Sequence, residues 1–368
     1  MRIAYCVENM YNSRGTERVL TTCANILSDY YDITIITESQ RGRRYYFDLN
    51  DSIHCHDLCV DKKISRESII RKKVYKRELQ KFLIKNQFDI VISLGGLDMF
   101  FLHSIKDGSK KILWFHFSYN ISNLFVRQKG LLGWIIKKIQ TRRRVYHASK
   151  YDRLVVLSKT DLHTWRKHCN NVCYIYNPLT IKVDGISDCT NKRAIAVGVL
   201  GVQKGFDYLI DAWSLVHKKH PAWSLDIFGQ GPDFDSLNNQ IAQKGLEKVV
   251  FLRGISNKIQ EEYKNHSLYI LSSRYEGFGL VLVEASACGL PLISFDCPQG
   301  PNEIIQEGKN GFLVSPVGDV KKMANRINLL VEDSEKRREF GRNALKLSER
   351  FSKEVIKQDW ISLFNDLK

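Results

Sequence analysis

The sequence predicts an α/β protein built from two Rossmann-like domains, each a parallel sheet wound by helices. Three observations predict it. Short β-rich runs alternate with helix-like segments along the chain, an order that requires crossover helices and therefore parallel sheets. Several runs are continuously apolar rather than alternating, as strands covered on both faces are. The pattern then runs twice, with Tyr176-Asn177-Pro178 between the passes. Proline drives its predecessor out of the helical region and so marks a linker. A length of 368 residues agrees with two domains of roughly 100–200 residues each. The expected divisions are 1–176, 177–350 and a terminal helix 351–368.

The first pass contains strand runs at Ile3–Val7, Ile33–Thr37, Asp89–Ser93, Ile112–His116, Arg153–Leu157 and Cys173–Tyr176. The second contains Ala194–Val199, Ser224–Phe228, Val249–Leu252, Leu268–Leu271 and Leu290–Phe295. The opening run is too short for a secretory leader and reads as a first strand. No stretch approaches the roughly 18 uncharged apolar residues of a spanning helix. Nine cysteines, several inside apolar runs (Cys6, Cys173, Cys288), fit reduced thiols of a cytosolic protein better than a disulfide framework. The cluster His54-Cys55-His56-Asp57-Leu58-Cys59 invites a zinc reading, but no second ligand pair follows at finger spacing. A structural or surface role is the expectation there.

Charge separates the two passes. Residues 1–180 hold 31 Lys and Arg against 16 Asp and Glu, whereas 181–368 hold 25 against 24. A basic half points to an anionic partner: nucleic acid, a membrane surface or an acidic substrate. Its cations concentrate at 62–85, with apolar Ile64, Ile69, Ile70, Val74, Leu79, Phe82 and Leu83, and at 127–150. In the second stretch Leu131, Leu132, Trp134, Ile135, Ile136 and Ile139 face a set of cations, Lys137, Lys138 and Arg142–Arg144. This composition suits an interfacial helix on an anionic leaflet, and equally a domain helix with a solvated face.

The segment that carries chemistry is Ser272–Ala285, SSRYEGFGLVLVEA. It follows an apolar run and precedes a helix expected from Leu280. Gly277 and Gly279 free the backbone to turn and to approach a ligand. The unpaired amides of Leu280 and Val281 would then form an anion site suited to a diphosphate. Glu284, about one turn in, can accept paired ribose hydroxyls, and Glu276 lies in the loop ahead. A plain turn with two solvated glutamates has the same spacing.

The Glu-x7-Glu spacing from Glu276 to Glu284, within EGFGLVLVEASACGLPLI, resembles the signature of glycosyltransferase family 4, retaining nucleotide-sugar transferases of the GT-B fold. The resemblance extends through Pro298–Glu303 (PQGPNE), Gly308–Val314 (GKNGFLV), Lys204-Gly205-Phe206-Asp207, Gly229-Gln230-Gly231, Arg153–Lys159 and Asn177-Pro178. It implies two Rossmann-like domains facing a central cleft, with the terminal helix crossing back to the first. It implies that Glu284 holds the ribose, that amides around Phe278, Gly279, Leu280 and Val281 hold the diphosphate, and that Glu276 binds sugar hydroxyls and supports the oxocarbenium-like charge. Lys204, next to the Gly198 loop, would neutralise the leaving diphosphate, with no metal expected and no other cofactor. Arg253-Gly254 would lie where the nucleobase is read, largely through backbone groups. One departure stands out. The family commonly has an arginine before its Lys-Gly, and this chain has Gly198-Val199-Leu200. Arg193 and Arg253 are the candidates to replace the charge, although neither matches the motif.

In the first half, Asn12-Ser13-Arg14-Gly15-Thr16-Glu17 resembles the family's glycine-rich loop, with Arg14 in place of the first glycine. Gly15 would make the turn, and Arg14 would either reach an anion or stay solvated. His116 matches a cleft histidine whose implied role is contact with the donor sugar; a lone His at a strand end is otherwise structural. Ser93–Gly96 ends a strand and is a further candidate for the cleft lining. The resemblance therefore implies a retaining transferase. It would move a hexose or N-acetylhexosamine from a nucleoside-diphosphate sugar, with uridine expected, to a saccharide or lipid-linked acceptor of the cell envelope. The expected location is cytoplasmic and peripheral on the inner face of the membrane. Nucleic-acid binding, epimerisation and a catalytically idle subunit are the competing readings. No nucleic-acid motif supports the first.

Overall fold

The computed structural model describes residues 1–62, 69–121 and 130–368. The chain divides into two compact units, the first joining Met1–Pro178 to Lys353–Lys368 and the second spanning Leu179–Ser352.

The first unit is a seven-stranded parallel sheet. Its strands are β1 (Arg2–Val7), β2 (Asp32–Thr37), β3 (His54–Asp57) and β4 (Ile90–Ser93), followed by β5 (Lys110–Trp114), β6 (Arg153–Val156) and β7 (Val172–Tyr174). Their spatial order is β3-β2-β1-β4-β5-β6-β7. The continuously apolar runs occupy the middle, where Ile3, Ala4, Tyr5 and Cys6 of β1 are fully buried. The second unit has six parallel strands in the order β10-β9-β8-β11-β12-β13. These are β8 (Arg193–Val197), β9 (Ser224–Phe228), β10 (Val250–Gly254), β11 (Leu268–Leu271), β12 (Leu292–Phe295) and β13 (Gly311–Val314). In each unit the strand order reverses once, between β1 and β4 and between β8 and β11. Sheets of this kind bind ligands beyond the carboxyl ends of the strands at that reversal.

Two edge strands escape the sequence reading. β13 is glycine-led, and β3 is the polar cluster that invited a zinc reading. An edge strand needs no apolar face, so hydrophobic pattern does not reveal it. In β3, His56 stacks on Phe82 with centroids 4.0 Å apart, and the Cys59 thiol donates to Asp57 Oδ2 at 3.2 Å. Among the described residues no group of three His, Cys, Asp or Glu is placed to hold a metal ion. All nine cysteines are free.

The helix Lys353–Asn365 belongs to the first unit. Its apolar positions Ile356, Trp360, Leu363 and Phe364 are buried. Trp360 packs edge-on against Trp114 at 4.8 Å, and Phe364 does so against Tyr31 at 5.4 Å.

The two basic stretches fold differently. Residues 63–68 and 127–129 lie outside the described residues. In the helix Ile69–Asn86, Tyr75, Leu79 and Leu83 are buried in the core, and Val74 and Phe82 pack on it. Most of its apolar side faces inward, as in a domain helix with a solvated charged face, while Ile70 and Ile84 are exposed. The helix Gly130–Ala148 does the opposite at its start: Leu131, Leu132 and Trp134 are 74%, 62% and 56% exposed. Among the described residues no helix is long and apolar enough to cross a membrane.

Candidate active site

The residues singled out in the second half meet at the reversal point of the second sheet. β8 runs into Gly198, and a short 3-10 turn, Val202–Lys204, follows. β11 runs into Ser272 and on to the helix Leu280–Ala287. The two loops are tied together by the Ser272 hydroxyl donating to the Lys204 carbonyl at 2.8 Å and the Arg274 amide donating to the Gln203 carbonyl at 2.8 Å. Arg274 adds a two-pronged ion pair to Asp207 at 2.6 and 2.8 Å.

Between the loops, Lys204 Nζ donates to Glu276 Oε1 at 2.7 Å. The same oxygen accepts from the Ser273 hydroxyl at 2.5 Å. Both charged groups are largely buried, the lysine side chain 15% exposed and the glutamate 7%, so the pair is little screened by water. Gly198 explains how the lysine lies there: a Cβ on it would sit 2.9 Å from Lys204 Cε. Any side chain would push the stem away from the loop.

Glu276 leads into Gly277, Phe278 and Gly279. Gly279 adopts φ +92° at the helix N-cap and makes no side-chain cap hydrogen bond, a conformation that disfavours other residues. Leu280 and Val281 stay partly exposed while the rest of this helix is buried. Their amides thus offer hydrogen-bond donors with the positive end of the helix dipole behind them.

Glu284 lies on that helix, 1% exposed. Thr180 donates to its Oε1 at 2.8 Å and Tyr263 to its Oε2 at 3.2 Å. These partners, with Ser273, are functional neighbours that sequence reasoning missed. Ser273 stands in the quoted segment, but nothing in the sequence ties Thr180 or Tyr263 to a residue so far along the chain.

Arg253 and Arg193, considered as replacements for the missing arginine, are committed elsewhere. Arg253 Nε lies 2.5 Å and Arg193 Nη2 2.7 Å from the carboxylate of Asp226, which also accepts from His266 Nε2 at 2.9 Å. Burial alone would raise the Asp226 carboxyl. The hydrogen bonds from His266, Arg253 and Arg193 outweigh it and bring it down to about 2. A buried carboxylate needs such compensation, and it holds both guanidiniums. What the segment still offers is backbone: Gly254 has φ +73°, and its carbonyl accepts from the Gly229 amide at 2.8 Å.

In the first unit, Gly15 opens the helix Gly15–Leu27 with Arg14 at the N-cap, so it makes the turn without a left-handed φ. Arg14 is exposed, and Glu17 is buried in the first helical turn. His116 lies just past β5, its ring 4.4 Å from that of Trp114. Its Nε2 is buried without a hydrogen-bond partner. Burial lowers its pKa to about 3, which keeps the imidazole neutral.

Two parallel-sheet Rossmann-like units define the class, the GT-B fold. The whole chain matches S. aureus TarM in a complex with Fondaparinux, alpha-GlcNAc-glycerol and UDP, with a TM-score of 0.81, 18% identity and 99% of each chain covered. The family follows from sequence. Residues 181–347 match the profile described as Glycosyl transferases group 1. An uncharacterized glycosyltransferase of Haemophilus influenzae is 30% identical over 98% of both chains. The amylovoran biosynthesis glycosyltransferase AmsD of Erwinia amylovora is 27% identical over 99% of both. The chain belongs to the glycosyltransferases, and its second half carries the group 1 profile.

Proposed function

We propose that this glycosyltransferase is a family 4 enzyme. It transfers a hexose or N-acetylhexosamine from a UDP-sugar, with retention, to a saccharide or lipid-linked acceptor in envelope polysaccharide synthesis. The observation that carries the reading is the Lys204–Glu276 pair beside a bare helix N-terminus, with Glu284 on the same helix. A diphosphate arriving at the amides of Leu280 and Val281 draws Lys204 off Glu276. The lysine then meets the charge that grows as the sugar–phosphate bond breaks. The freed carboxylate of Glu276, still held by Ser273, takes sugar hydroxyls and supports the cationic ring. Donors aimed in advance at developing charge are the larger part of such catalysis. Glu284 holds the ribose, and the backbone at Arg253-Gly254 meets the base. His116, kept neutral by burial, is the first-unit residue to which the family resemblance assigns a sugar contact. Attack comes from the face the diphosphate leaves, with the departing phosphate as base, and the chemistry calls for no metal ion.

UDP in the TarM complex and the polysaccharide role in the name of the Erwinia relative support the donor and the acceptor class. Thermal shift against a panel of nucleoside-diphosphate sugars tests this. A UDP-sugar is expected to raise the melting temperature by mass action, and a larger rise with a purine donor would overturn the base assignment.

The reading extends to a cytoplasmic enzyme held peripherally on the membrane. Support comes from the exposed Leu131, Leu132 and Trp134 on a helix that also carries Lys137, Lys138 and Arg142. Flotation with anionic liposomes at low salt is the check, and protein left at the bottom of the gradient counts against it.

A further inference from the structure

The two basic stretches are far apart in sequence, and the fold of the first unit brings them together around one aromatic ring. Lys72, on the helix Ile69–Asn86, places Nζ 5.8 Å from the centre of Phe100. Arg143, on the helix Gly130–Ala148, places Cζ 4.6 Å from the same centre. One 3-10 turn further on, His103 Nε2 and His147 Nδ1 are 2.8 Å apart, so one imidazole donates to the other. Lys76 joins through a 2.9 Å hydrogen bond to Ser104, and Lys150 acts electrostatically on His103.

No carboxylate answers these cations. The sequence has none between Asp107 and Asp152. Among the described residues none of Lys72, Lys76, Arg143 and Lys150 has an ion pair. The nearby Asp98 is fully buried, and burial raises its carboxyl to about 7, so it is a weak counter-charge. The cations visibly strain one another. Lys72 is lowered first by burial and then by Arg143 and Lys76. His147 falls to about 4 through burial, His103, Lys72 and Arg143. Folding gathers like charges at a cost that no ion pair among the described residues offsets.

We propose that Lys72, Lys76, Arg143 and Lys150, around the His103–His147 pair, form a binding site for a phosphate group. A guanidinium and three ammonium groups supply the charge-assisted donors that phosphate oxygens accept. The outer ring nitrogens of the two histidines add donors once an anion is present, because its charge favours the imidazolium. The site goes beyond the donor chemistry above and stands whether or not that reading holds. It would take a phosphate carried by the acceptor or by a lipid headgroup, and the chemistry is the same.

The test follows the imidazole NMR signals of His103 and His147 in the intact protein. Inorganic phosphate, glycerol 1-phosphate and phosphatidylglycerol vesicles are added separately, with chloride at matched ionic strength as control. Saturable shifts with the soluble phosphates support the site and indicate a phosphoryl group free of the bilayer. Shifts with vesicles alone support it and indicate a headgroup. Lys72→Gln and Arg143→Gln should each weaken binding about tenfold, and Lys85→Gln, at the far end of the same helix, should not. No shift with any phosphate, equal shifts with chloride, or equal weakening by all three variants would overturn the proposal. The variants change surface side chains, and a preserved amide spectrum shows that they fold. UDP-sugar binding, measured separately, reports on the donor reading alone.

Discussion

The two units solve the same problem, a parallel sheet with a reversal point, with opposite treatments of charge. Around the strand ends of the second unit, charged side chains are answered from within the chain. Asp226 holds Arg193, Arg253 and His266, Arg274 holds Asp207, and Lys204 holds Glu276. In the first unit Lys72 and Arg143 share one ring without a counter-ion. There the polar atoms of Tyr5, Glu17, Trp114 and His116 include buried ones with no partner. Each such atom costs about 1–3 kcal/mol of desolvation. The lesson is that the strand-end loops of the second unit are held in shape by ion pairs from within the chain. The first unit pairs its largely buried Arg71 and Lys111 with Glu38 and Asp107 and leaves the cluster around Phe100 without an ion pair among the described residues.

The largest expected effect breaks the second unit's chemistry. Lys204→Ala should lower transferase kcat/KM about 10³-fold, or ~4 kcal/mol, as loss of a charge-stabilising donor does. The prediction follows from the proposed role of Lys204, since Val199 stands in place of the usual arginine and both nearby arginines are tied to Asp226. A loss below about tenfold (~1.4 kcal/mol) would mean that another group carries it. Next comes Asp226→Ala, which strands two guanidiniums and a buried imidazole. Urea unfolding should show a loss of about 3 kcal/mol, and a change under ~1 kcal/mol would show that the ion pairs do not hold the unit.

The smaller effect belongs to the first unit and depends on pH. The folded pKa of His116 is about 3, below its unfolded value of about 6.5. Between those values the unfolded chain binds the extra proton, so stability rises with pH. The contribution is fully present above pH 6.5 and is lost as pH falls toward 3. Between pH 7 and pH 5 the loss should be about 2 kcal/mol. His116→Gln should flatten that slope, and an unchanged slope would assign it to other groups.

The legibility of the sequence follows from what each feature depends on. Central strands such as β1 and β11 are legible because burial on both faces demands an unbroken apolar run. β3 is not, since an edge strand can be written in His, Cys and Asp. The donor loop is legible because glycines at 277 and 279 and glutamates at 276 and 284 are local requirements of one turn and one helix. Arg253 misleads for the opposite reason. Its partner Asp226 lies on another strand, and no spacing rule connects them. The meeting of Lys72 with Arg143 depends on how two helices pack on the 3-10 turns between them, which hydrophobic periodicity does not encode.

The chain passes out of the first unit at Pro178 and returns at Lys353, which makes the second unit an insertion within the first. The ends of that insertion are neighbours, the Leu179 amide donating to the Phe351 carbonyl at 2.8 Å. Synthesis from the N-terminus therefore completes the second unit while the first still lacks the helix Lys353–Asn365. Trp114 waits for Trp360 until that helix has left the ribosome. The second unit is thus complete in sequence before the helix that seals the first has been made, so it can fold while the first is still open.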